Sequence, residues 1–205
     1  MSMAQRERQA LVQAMADAGP DAPTLCGEWT ARDLAAHLVV RERRPDAAPG
    51  ILLKPFASYL DRVQRKVTQR PFEQLLDEVR SGPPLYLRPV DSLMNLTEMF
   101  VHHEDVRRGA PGWEPRTLPV ADEDRLWKVL QGLARMAYRK SPVTVALTTP
   151  DGRRTIARQA GDRTVVLAGP PSELLLHAFG RNEVRLEATG APEDVALVHA
   201  LDRSV

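Results

Sequence analysis

Apolar residues recur three and four positions apart through the first 140 residues, and short β-branched runs replace that spacing after Pro142. The pattern predicts a first helix over Met3–Ala18, with Leu11, Met15 and Ala18 on one face and Gly19-Pro20 as its stop. A loop, Asp21 to Trp29, leads into a second helix. Thr30 is its N-cap, Asp33 occupies the third helical position, and Leu34, His37, Leu38 and Arg41 share a face. Pro45 and Pro49 end it, and Trp29 reads as a packing anchor ahead of it. Lys54-Pro55-Phe56 opens a third helix running to Gln69, and Pro71 a fourth, whose stripe is Phe72, Leu75, Leu76 and Val79. A long helix follows from Val90 to Arg108, with Gly109 placed for a left-handed cap. Beyond a Pro/Gly-rich connector, Ala121–Lys140 carries Leu126, Val129, Leu130, Leu133 and Met136 at helical spacing. Strands are then predicted over 143–149, 155–159, 164–168 and 184–189, the first two joined through Asp151-Gly152. Short helices are expected after Pro170 and Pro192. The chain therefore reads as a helical part over 1–140 and a small α+β part over 141–205.

Composition narrows the class. The 205 residues are 43% hydrophobic and 27% charged, as in a globular protein with a substantial core. A net charge of +1, with both signs interspersed, offers neither nucleic acid nor an anionic membrane a binding field. The polar N-terminus and the lack of a long apolar run make the cytoplasm the expected location. The single cysteine, Cys26, excludes an internal disulfide, and a structural thiol is its expected role.

The chemistry concentrates in Asn95-Leu-Thr-Glu98-Met-Phe-Val-His102-His103-Glu104-Asp105. Glu98 and His102 are four apart and rise from one helix face, together with Asn95, while Met94, Phe100 and Val101 are core-like. Polar groups stacked on an apolar helix need solvent or an ion. With His37 from the second helix, Glu98 and His102 make a three-ligand set that leaves coordination positions open, as in catalytic sites. Two imidazoles and a carboxylate suit Zn²⁺ first and accept Fe²⁺, Ni²⁺ or Mn²⁺. A packed, hydrogen-bonded core histidine is the alternative for His37, and a surface pair the alternative for Glu98 and His102. Asn95 is a candidate substrate contact. Arg41, one turn after His37, either holds an anionic group in the pocket or lies at the surface. His103, about 100° round the helix, is the reserve ligand and otherwise a partly exposed histidine. Glu104, Asp105, Arg107 and Arg108 read as surface or interhelix ion pairs.

Leu25-Cys-Gly-Glu-Trp-Thr-Ala-Arg-Asp-Leu-Ala-Ala-His37-Leu and Asn95-Leu-Thr-Glu98-Met-Phe-Val-His102-His-Glu-Asp-Val-Arg-Arg108 resemble the actinobacterial branch of the DinB-like superfamily, which includes the mycothiol-dependent maleylpyruvate isomerases. The resemblance implies a DinB-like four-helix bundle with its metal on His37, Glu98 and His102. It also implies a low-molecular-weight thiol, mycothiol or bacillithiol, as cofactor or cosubstrate. The tail around Pro171–Arg181 is similar to the small C-terminal domain of those isomerases, which resembles sterol carrier proteins. On that likeness Arg181 is a candidate to bind a substrate carboxylate, with a surface arginine as the alternative.

Two functions follow, set against a third reading, a purely structural helical protein with incidental histidines. One is a thiol-dependent metalloenzyme, an isomerase or S-transferase acting on a small thiol and an electrophilic substrate. The other is a non-catalytic metal-binding sensor or partner-binding module. The expected assembly is a monomer or homodimer.

Overall fold

A computed structural model describes residues 1–47, 57–84 and 92–203, with backbone alone for 57 and 92–94. The chain divides into two compact units, Met1–Trp113 and Glu114–Val205. The expected helix starts at Lys54–Phe56 and Val90, the stop at Pro49 and the core side chain of Met94 lie outside the described residues.

The first unit is helical: α1 (Met3–Ala18), α2 (Ala31–Arg43), α3 (Ala57–Thr68), α4 (Phe72–Ser81) and α5 (Ser92–Arg107). Reciprocal side-chain caps fix both early N-termini, Ser2 with Gln5 on α1 and Thr30 with Asp33 on α2. Leu11, Met15, Leu34, Leu38, Leu75, Leu76, Val79 and Met99 form a continuous buried core. The Arg8 guanidinium crosses this core to meet Glu42 and the Val79 carbonyl, tying α1 to α2 and α4.

Helix α5 departs from the amphipathic expectation. Between Asn95 and Arg108 only Glu98, His102 and Arg107 reach solvent, and these only partly. His103 is buried, its Nδ1 lying 2.8 Å from Glu7 Oε2 on α1, so it is not the partly exposed residue its spacing suggested. Glu104, Asp105 and Arg108 are buried too, and Glu104 accepts from Arg107 and Arg108. Charges survive at such depth because each has a partner at hydrogen-bond distance. Gly109 does not adopt the left-handed backbone expected of it. It is needed for space, because a Cβ there would overlap the Pro23 carbonyl. The loop before α2 thus lies directly on the end of α5, held further by Leu25 N–H donating to Asp105 O (3.1 Å).

The second unit contains α6 (Val120–Ala137), β1 (Thr144–Thr148), β2 (Arg154–Arg158), β3 (Thr164–Ala168), α7 (Pro171–Ala178), β4 (Glu187–Thr189) and α8 (Pro192–His199). The sheet order is β2-β1-β3-β4, with β1 parallel to β3 and the two edge pairs antiparallel. Helix α6, grouped by its spacing with the N-terminal part, packs on α7 and β2 of this unit. Its buried face is Leu126, Trp127, Leu130, Ala134 and Ala137, whereas Met136 is half exposed. The last strand is shorter than expected, because β3 ends at Ala168 opposite Glu187. The Arg185 N–H turns instead to Glu173 Oε2 (2.7 Å). No helix among the described residues is long and apolar enough to cross a membrane.

Candidate metal centre

His37 sits mid-way along α2 and Glu98 and His102 one turn apart on α5. The structure brings all three together. Glu98 Oε1 is 3.2 Å from His102 Nε2 and 3.5 Å from His37 Nε2. One donor atom from each of the three lies within 4.8 Å of the other two. The two imidazoles meet edge to face, with ring centroids 5.8 Å apart. Donors bound to Zn²⁺ at about 2.1 Å stand roughly 3.4 Å apart at a tetrahedral centre. The two distances to Glu98 are therefore those of a ligand set, as well as of long hydrogen bonds.

Arg41 faces the same group: its Nε is 3.4 Å from Glu98 Oε1, and Nη1 donates to Asn95 Oδ1 (3.0 Å). Asn95 is itself buried. Trp29 is not a buried anchor, being 37% exposed. Its ring leans on that of His37 at a centroid distance of 5.0 Å. Trp29 also lines a surface cleft of about 360 Å³ with Asp33, Asp61, Gln64 and Arg65. Arg181 belongs to the second unit, where its Nη1 donates to the Phe179 carbonyl (2.6 Å).

Two further residues reach this centre: Asp105, whose expected place is a surface or interhelix ion pair, and Cys26, expected as a structural thiol. Asp105 is fully buried, and its Oδ2 is 2.8 Å from His102 Nδ1. Cys26 Sγ lies 3.1 Å from the same oxygen and 3.7 Å from His102 Nδ1. The His-x-x-Asp spacing was the available signal, since it puts Asp105 one turn beyond His102 on the same helix. The approach of the Cys26 loop had no local sign.

Electrostatics follow from this packing. Burial alone would raise the Glu98 carboxyl. Hydrogen bonds from His102 and His37, with the charges of His102 and Arg41, hold it well below the ordinary carboxylate range. Burial would likewise favour neutral His102, but its contacts with Asp105, Cys26 and Glu98 outweigh burial and raise it well above an ordinary imidazole. A field that stabilises a proton here also favours a cation among the same donors. With Asp105 accepting from Nδ1, His102 turns Nε2 toward Glu98 and His37, the orientation of a metal-ligating histidine. The residues present therefore fit a divalent ion.

Residues 3–51 match the model of the family described as mycothiol maleylpyruvate isomerase N-terminal domain. That stretch contains α1, the Cys26 loop and α2 with His37 and Arg41. The match supports the resemblance to the DinB-like, mycothiol-dependent isomerase superfamily. No curated protein and no solved structure matches the chain.

Proposed function

We propose that the first unit is a DinB-type four-helix bundle that holds one divalent cation, Zn²⁺ first among the choices, through His37, Glu98 and His102, and that the protein is a mycothiol-dependent isomerase or thiol S-transferase. The observation that carries this reading is the convergence of three donors from two helices to within 4.8 Å. Three protein ligands leave positions for an outside molecule. When bound, the ion would supply a Lewis acid that keeps a coordinated thiol as thiolate at neutral pH.

The chain's own groups complete the reading. Asp105 holds the proton on His102 Nδ1 and keeps Nε2 free to ligate. Arg41 steadies the Glu98 carboxylate and, with Asn95, offers N–H donors to an anionic or carbonyl group of the substrate. The cleft lined by Trp29, whose ring leans on His37, is proposed to take the body of a small thiol.

The direct test is elemental analysis of untagged protein against His37→Ala and Glu98→Ala. We expect the metal content of both variants to fall to a small fraction of wild type, and retention of metal in both would show the site to lie elsewhere. Titration of the metal-loaded protein with mycothiol, followed by a panel of electrophiles, then separates the functions. Heat of thiol binding and turnover are expected. Metal binding with neither would make the protein a non-catalytic metal-binding module.

A further inference from the structure

The two ring nitrogens of His102 face two different donor sets. Nε2 looks toward Glu98 and His37. Nδ1 looks toward Asp105 at 2.8 Å and Cys26 at 3.7 Å, and these two are themselves 3.1 Å apart. The second set, Cys26, His102 and Asp105, is as tightly gathered as the first, with its ligand atoms within 4.8 Å of one another. Its place is built. Thr24 Oγ1 accepts from the Cys26 N–H (3.2 Å) and donates to Trp29 O (2.7 Å), while the Leu25 N–H is bonded to the backbone of Asp105 itself. Asp105 is fully buried and Cys26 half-buried, so the set opens toward solvent on its sulfur side.

We propose that Cys26 Sγ, His102 Nδ1 and Asp105 form a second cation site, of sulfur, nitrogen and oxygen donors, that takes a thiophilic divalent ion such as Cd²⁺ and competes with the first set for their shared imidazole. The thiolate sets the preference, because soft ions favour sulfur over the nitrogen and oxygen donors of the first set. On binding, the Cys26 S–H bond breaks heterolytically, its proton passes to solvent, and the thiolate takes up the ion. His102 must also give up its Nδ1 proton. The ring stays neutral when that proton is passed by way of solvent to Nε2, and Nε2 so protonated can no longer ligate. The second site stands on its own geometry; the competition rests on the function proposed above for His37, Glu98 and His102.

The test uses the full chain stripped with a chelator and titrated with Cd²⁺ while thiolate-to-metal absorption is followed in the ultraviolet. Wild type and His37→Ala are both expected to develop the band. Cys26→Ser should lack it, because the absorption needs a thiolate, and should bind Cd²⁺ at least about tenfold more weakly, no less than the loss of an outer partner of a metal site costs. On the unsubstituted chain, Cd²⁺ should protect Cys26 from alkylation, a readout independent of how the variants fold. Absence of a band and of protection overturns the proposal. So does a band that survives His102→Ala with unchanged affinity, which would make Cys26 an adventitious thiol. Cd²⁺ bound beforehand should block Zn²⁺ uptake in wild type and not in Cys26→Ser, and simultaneous binding of both ions would overturn the competition. If His37→Ala leaves Zn²⁺ affinity unchanged while Cys26→Ser abolishes the Cd²⁺ band, the reading of the first set fails and the second site stands.

Discussion

His102 is held from both sides, by Glu98 at Nε2 and by Asp105 at Nδ1. A metal ligand so oriented depends on the group behind it. Loss of such an outer carboxylate costs about 10–100-fold in metal affinity. Asp105→Asn is therefore expected to weaken Zn²⁺ binding by that factor, measured by competition with a chromophoric chelator, while the same substitution at exposed Asp17 leaves the affinity unchanged. An affinity in Asp105→Asn equal to wild type would reduce Asp105 to a packing residue. That Glu98 and His102 share a face was legible in the sequence, because helical spacing fixes which residues of one helix stand together, whereas the pairing with His37 on another helix rested on donor chemistry and the family resemblance. The part of Asp105 and Cys26 was not legible. Their meeting is a contact across 79 positions, and periodicity within a helix says nothing about what covers it.

Among the elements, the ends of α1 and α2 and the stripe of α4 were readable, because caps and apolar spacing are local signals. Helix α5 shows where that logic stops. Its last two turns carry charges that look like a solvent face, yet Glu104 and Asp105 are buried, Glu104 against Arg107 and Arg108 of the same helix end and Asp105 against His102 and the Cys26 loop. The same helix end explains Gly109. The Pro23 carbonyl occupies the space a side chain would need, so Gly109→Ala must push away the loop that carries Cys26. Overpacking of this kind costs about 1–3 kcal/mol. The expected result is a urea midpoint lowered accordingly, together with faster alkylation of Cys26. An unchanged alkylation rate would show that the loop keeps its place by other contacts.

At the scale of the whole molecule the two units answer pH differently, and their buried histidines set the sign. In the second unit His177 is fully buried, with Nδ1 2.6 Å from the Tyr138 hydroxyl and Nε2 3.3 Å from His199 Nδ1. Burial, then the nearby Arg203 guanidinium and His199, push its pKa down to about 3 from an ordinary 6.5. Between those two values the unfolded chain carries a proton that the native unit does not, so stability rises with pH across this window and is complete above it. The slope approaches about 1.4 kcal/mol per pH unit in mid-window. In the metal-free first unit His102 has the opposite sign. Its raised pKa contributes stability that is full below the unfolded value of 6.5 and is lost only as pH climbs through the folded value. Moving from pH 7 to pH 5 should therefore soften the second unit while sparing this contribution in the first. Trp127, buried in the second unit, can report it alone once Trp29 and Trp113 are replaced by Phe. Its urea midpoint is expected to fall between pH 7 and pH 5, and His177→Asn, which keeps a polar partner for Tyr138 but cannot titrate, should flatten that dependence. A midpoint that falls equally in His177→Asn would place the acid sensitivity in another group.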